Sequence, residues 1–158
     1  MSGIGFGLLA ATFTVILCAC SWSGDQRDVL NAFQRVSGIL EAGEWETAIE
    51  EGLDAGTGRF LDSLSEDLSG RGLEGYGSAS EVLQVFYREY VDFDGEVTMI
   101  FIDGSAAEIT VTPIDDGSYS AAAPSQYTMV LEEGEWMMDL SEVFRAGMEA
   151  DLRGSYIR

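Results

Sequence analysis

Between Asp25 and Ala42 apolar side chains recur at helical spacing, with Val29, Leu30, Phe33, Val36 and Leu40 on one face. Asp25 and Asp28 suit the start of this helix, where carboxylates meet unpaired N–H groups, and Gly43 breaks it. Glu44 to Leu53 predicts a shorter helix that presents Trp45, Ala48, Ile49 and Leu53. The run Ala55-Gly56-Thr57-Gly58 reads as a turn, with Thr57 the expected N-cap of a third helix bearing Phe60, Leu61, Leu64 and Leu68. Ser69 to Gly77 holds four glycines and reads as a loop. Ser78 or Ser80 then caps a fourth helix carrying Val82, Leu83, Val85, Phe86 and Tyr90. Glu81, three residues after Ser78, would complete a capping box.

After Asp92 the period shortens from about 3.6 residues to about 2. Val97, Met99 and Phe101 alternate with Thr98, Ile100 and Ile102, which predicts a strand buried on both faces. Asp103-Gly104 is a hairpin signal leading to a second strand over Glu108–Ile114, and Asp115-Asp116-Gly117 is a further turn. Tyr127, Met129 and Leu131 define a third strand. Glu133-Gly134 turns it into a fourth, with Trp136, Met138 and Leu140 on one face. An amphipathic helix from Ser141 to Leu152 follows, carrying Val143, Phe144, Met148 and Leu152. Helices first and an antiparallel meander second make an α+β class, with no internal repeat and no second domain.

The charge narrows the function. The chain has 158 residues, with 28 Asp or Glu against 8 Arg, no Lys and no His, for a net charge of −20. Nucleic acid is not expected as a partner, because scattered arginines supply no cation-rich surface to displace counterions. Adsorption to anionic lipid through basic residues is disfavoured for the same reason. Without His, a Ser-His-Asp triad, a Cys-His dyad and a His-ligated metal site are excluded. An apolar content of 46 % separates the chain from disordered acidic sequences.

Residues 1–24 carry no ionisable side chain, and their apolar core from Ile4 to Ala19 is sixteen residues long. That falls short of the roughly 20 residues of a spanning helix and suits the apolar region of an export signal. The run ends in Leu17-Cys18-Ala19-Cys20, which resembles the lipobox of bacterial lipoproteins. The resemblance implies that residues 1–19 are a signal peptide and that Cys20 is lipidated. Residues 20–26 then form a tether, 27–152 the domain and 153–158 a tail. It also implies a membrane-anchored domain on the non-cytoplasmic side of a cell envelope. The alternative is an uncleaved N-terminal membrane anchor displaying an accessory domain. Cys18 and Cys20 are the only cysteines, so the domain rests on its core without disulfides.

A second resemblance concerns the domain. Leu40-Glu41-Ala42-Gly43-Glu44-Trp45-Glu46-Thr47-Ala48-Ile49 resembles the opening of NTF2-like (cystatin-like) domains, and Tyr127 to Leu140 is similar to their closing hairpin. This implies N-terminal helices on a curved antiparallel sheet of about four strands, a cone, with an added C-terminal helix. Such domains often enclose a pocket, and enzymes of the class place an Asp base and a Tyr or His acid there. By residue type Tyr87, Tyr90, Asp92 and Tyr127 are the possible pocket residues. An Asp in an apolar pocket gains general-base character as its pKa rises. No motif aligns with a catalytic set, so no residue is assigned a catalytic role. The plain reading makes the tyrosines core residues and Asp92 the start of a turn.

The remaining motifs read as structure. Asp92-Phe93-Asp94-Gly95-Glu96 lacks the acidic spacing of a Ca²⁺ loop. Asp115-Asp116-Gly117 is what a hairpin turn requires. The run Gly70 to Gly77 superficially resembles a phosphate loop but has neither Lys nor a preceding strand. No metal site or cofactor is assigned. Trp22 stands beside the lipobox, where a membrane interface would favour it, while Trp45 and Trp136 fall at core positions. The acidity itself fits high-salt adaptation, replacement of Lys by Arg in a GC-rich genome, or an acidic face for a basic partner. The expected function is a lipid-anchored, non-enzymatic binding or assembly module whose protein or small-molecule partner is unknown. The alternative is a small pocket enzyme of isomerase or dehydratase type.

Overall fold

The computed structural model describes residues 22–114 and 123–155. Cys20, the rest of the lipobox and Asp115-Asp116-Gly117 lie outside them. The described residues form an α+β domain: α1 (Gly24–Glu41), α2 (Trp45–Glu51), α3 (Ala55–Gly70) and α4 (Ala79–Tyr90) come first. Strands β1 (Glu96–Asp103), β2 (Ala106–Thr112), β3 (Ser125–Glu132) and β4 (Glu135–Asp139) follow, then α5 (Ser141–Ser155). The sheet is an antiparallel meander in the order β1-β2-β3-β4.

Local chemistry explains the helix ends. Ser23 caps α1 in a reciprocal box with Gln26, so the helix starts at Gly24, inside the segment expected as tether. The third helix is capped by Asp54, whose carboxylate accepts the Gly56 and Thr57 N–H groups at 2.8 and 2.9 Å. Thr57 is therefore not the cap. It lies inside the first turn, fully buried. This helix continues to Gly70 and ends where Gly72 takes φ 80°, letting the Leu73 N–H reach the Leu68 carbonyl at 3.2 Å. Ser78 caps α4, and Glu81 reaches back one residue further than a capping box would, to the Gly77 N–H. At the other end of the chain, α5 runs to Ser155, so residues 153–155, expected as tail, are helical.

The core lies between α1 and one face of the sheet, with α4 and α5 closing it. Val29, Phe33, Val36 and Leu40 of α1 are buried with Ile100, Ile109, Val111, Tyr127, Met129 and Met138 of the strands. Leu61, Leu83, Phe86 and Phe144 bury the outer helices. Trp22 packs half-buried on this core instead of standing apart from it, and its carbonyl accepts from the Arg27 guanidinium. Trp45 and Trp136 are half-buried.

One expectation fails in the sheet. β1 is not buried on both faces: Ile100 is 4 % exposed, whereas Met99 and Phe101 are 47 % and 58 % exposed. The cause is one-sided packing of the sheet: the core covers the face that carries Ile100, and Met99 and Phe101 lie on the other face.

Candidate functional site

Of the four residues singled out for a pocket, Tyr127, Asp92 and Tyr87 lie in one cluster and Tyr90 lies in another. Tyr127, on β3, is buried, and its hydroxyl donates to the backbone carbonyl of Asp92 while accepting the Asp92 N–H at 3.1 Å. The contact is thus with the peptide of Asp92. The Asp92 carboxylate is exposed and accepts the Asp94 N–H at 2.9 Å, closing the turn into β1. Around Tyr127 the space is filled by rings. Phe93 and Phe33 have centroids 4.8 and 5.8 Å away, Tyr87 lies 6.0 Å from Phe93, and Trp45 lies 5.4 Å from Tyr87. Burial first, then the nearby Glu41 carboxylate, raises the Tyr87 pKa, and burial outweighs the Asp92 backbone bond to raise that of Tyr127.

Tyr90 belongs to a different cluster. Its ring meets Phe86 edge-on at 5.4 Å, and its hydroxyl donates to Asp151 of α5 at 2.6 Å. Burial, and then this hydrogen bond to a carboxylate, pushes its pKa up to about 12. A hydroxyl so placed is a structural donor joining α4 to α5. No Asp–Tyr side-chain hydrogen bond joins any two of these four.

The open chemistry lies at the sheet edges. At β4 the edge is covered from within: the Asp54 N–H donates to the Met138 carbonyl and the Met138 N–H to the Gly52 carbonyl, at 3.0 and 2.9 Å. The β1 edge is different. The pairs Asp103–Ala106, Phe101–Glu108 and Met99–Thr110 close the two-residue hairpin and repeat every second residue. Their peptide groups face β2, so those of Ile100 and Ile102 face outward. Gln26 of α1 confirms the direction, because its amide donates to the Ile100 carbonyl at 2.9 Å. Beside this edge a groove of about 520 Å³ is lined by Ser23, Asp25, Gln26, Ile100, Phe101 and Ile102. Phe101 is its exposed apolar lining, and Met99, two residues earlier on β1, is exposed as well.

A second groove, of about 630 Å³, lies at the β3–β4 hairpin and is lined by Glu132, Glu133, Glu135, Met137 and Ala55. Glu132 is already engaged, accepting the Ala55 N–H at the start of α3. Among the described residues no cluster of three or more Asp, Glu, Cys or His could hold a metal ion.

The sign of the charge is uniform along the strands. The four strands contain Glu96, Asp103, Glu108, Glu132, Glu135 and Asp139, and no Arg or Lys. From Glu89 to Phe144 the chain has no basic residue at all. Among the described residues the arginines before and after this stretch lie on or beside helices, where Arg71, Arg145 and Arg153 pair with acids three or four residues away. Sequence reasoning passed over Gln26, Met99, Phe101 and Ile102 as surface residues of interest. The basic-free stretch was the signal that could have found Met99, Phe101 and Ile102; Gln26 lies outside it. Compared with known proteins, the chain matches no family model, no curated protein and no solved structure.

Proposed function

We propose that this protein is an exported, lipid-anchored envelope protein whose single domain, of NTF2-like type, acts as a non-enzymatic binding or assembly module. The observation that carries the binding reading is the anionic β1 edge, which no further strand pairs among the described residues, with Phe101 and Met99 exposed beside it. Isolated apolar side chains on a surface are ordinary, but two adjacent on an edge strand beside a groove mark a place for a partner. The tyrosines offered as catalytic acids are instead committed to packing and to backbone or interhelix hydrogen bonds, which favours binding over proton transfer. The order of helices before an antiparallel meander supports the NTF2-like class. The lipobox residues Leu17 to Cys20 support the anchor, since several acyl chains hold a domain stably where one does so marginally.

The test of the anchor is the intact mass of the full chain purified from its own membranes, beside Cys20→Ala. The expected species begins at Cys20 and carries added acyl mass, lost in the variant. An unmodified, full-length mass would overturn the lipoprotein reading in favour of an uncleaved anchor.

A further inference from the structure

We propose that the β1 edge takes an extended, Arg- or Lys-bearing segment of a partner protein by strand addition, an inference that rests on the binding-module reading above. Strand addition needs outward peptide groups, room beside them and pockets for alternate side chains. The register turns the peptide groups of Ile100 and Ile102 outward. The groove of about 520 Å³ supplies the room, and exposed Phe101 and Met99 supply apolar neighbours for every second side chain of an added strand. Gln26 already makes, with a side-chain amide, the bond that the N–H of such a strand would make to Ile100.

Charge selects the occupant. Glu96, Asp103 and Glu108 lie on β1 and its hairpin partner, Asp25 lines the groove, and no strand carries a cation. Arg27, which follows Gln26 in the chain, directs its guanidinium to the Trp22 carbonyl. A second copy pairing edge to edge would set these acids against their own kind, and acidic edges are a common protection against such pairing. The same acids attract a strand bearing cations, speed its encounter and reject neutral or acidic competitors. The acids thus discourage self-association and favour a basic partner at once.

The experiment titrates the full chain, in micelles of a non-ionic detergent, with a fluorescein-labelled peptide of alternating Arg and Val. An alternating Glu and Val peptide and an Arg–Val peptide N-methylated at every second residue are the controls. N-methylation keeps the charge and side chains but deletes the N–H groups a strand must donate. The Arg–Val peptide is expected to bind, to lose affinity by at least about tenfold on N-methylation, and to bind several-fold more weakly to Phe101→Ser. Amide exchange at Ile100 and Ile102 is expected to slow in the complex. Equal affinity for the N-methylated peptide, or protection elsewhere, would mean diffuse charge attraction and would overturn the proposal. Absence of binding would overturn it too, and so would dimers in sedimentation without peptide, by placing a second copy on the edge. Lipidation is read independently by mass, so a lipidated chain that ignores the peptide removes this occupant and leaves the anchor standing.

Discussion

At the scale of single residues, the polar group with the most structural consequence is Thr57. It is fully buried, its hydroxyl donates to Asp139 Oδ1 at 3.1 Å, and the same oxygen accepts the Leu140 N–H at 3.0 Å. One side chain thereby fastens the first turn of α3 to the junction between β4 and α5, where Asp139 also accepts the Ser141 N–H. Thr57→Val keeps the shape and leaves a buried N–H unpaired, so it is expected to destabilise by about 1–3 kcal/mol. Thr57→Ser keeps both bonds and should cost less. Urea midpoints at constant slope measure both, and equal midpoints for Val and Ser would show that the bonds contribute nothing net. From sequence alone Thr57 looked like a cap, because Thr before a helical stretch usually is one. Asp54, three residues earlier, had the better claim by chemistry, and only the chain returning at Leu140 explains why Thr57 is polar. The candidate site was illegible for a similar reason. Tyr127 and Asp92 do meet, but through a hydroxyl and a backbone peptide, a contact that residue types cannot distinguish from an acid–base pair.

Among elements, the helices were largely legible and the sheet less so. Helical periodicity and caps report on the local chain, which is why α1, α2 and α4 begin and end within a residue or two of the expected positions. Strand alternation reports which side chains share a face, but not whether that face is covered. Val97 to Ile102 therefore looked doubly buried, although only the face of Ile100 is covered and that of Met99 and Phe101 is exposed. The contact between α4 and α5 was equally hidden. A Cβ on Gly147 would come within 3.0 Å of three atoms of the Tyr90 ring, so the ring lies directly on the α5 backbone. In an open helix Gly→Ala gains up to about 1 kcal/mol. Here Gly147→Ala is expected to lose stability instead, because a ring held by Phe86 and Asp151 has to move. In the Tyr90→Ala background the same substitution should become neutral or stabilising. A thermal-denaturation double-mutant cycle that found the two changes additive would deny this packing.

The whole molecule is organised by charge as much as by its core. A net charge of −20 on 158 residues implies self-repulsion, and the local ion pairs relieve little of it. Arg71–Asp67, Arg145–Glu142 and Arg153–Glu149 are exposed pairs between residues three or four apart on or at the end of one helix, a kind worth under about 1 kcal/mol each. None links a helix to the sheet. The sheet, with six acids and no cation among its strands, has no basic residue of its own to offset that field. Two means of relief remain, mobile ions and a cationic partner, and they predict different behaviour. Screening shortens from about 10 Å at 0.1 M salt to about 3 Å at 1 M. The free protein should therefore gain several degrees in melting temperature over that range in sodium chloride, with potassium chloride acting alike. With the Arg–Val peptide bound, part of the repulsion is already relieved, so the same salt series should raise the melting temperature less and finally release the peptide. A free protein whose melting temperature is flat or falls with chloride concentration would show that its acids are spaced beyond mutual repulsion. In that case the anionic edge would act only locally, at the encounter with a partner.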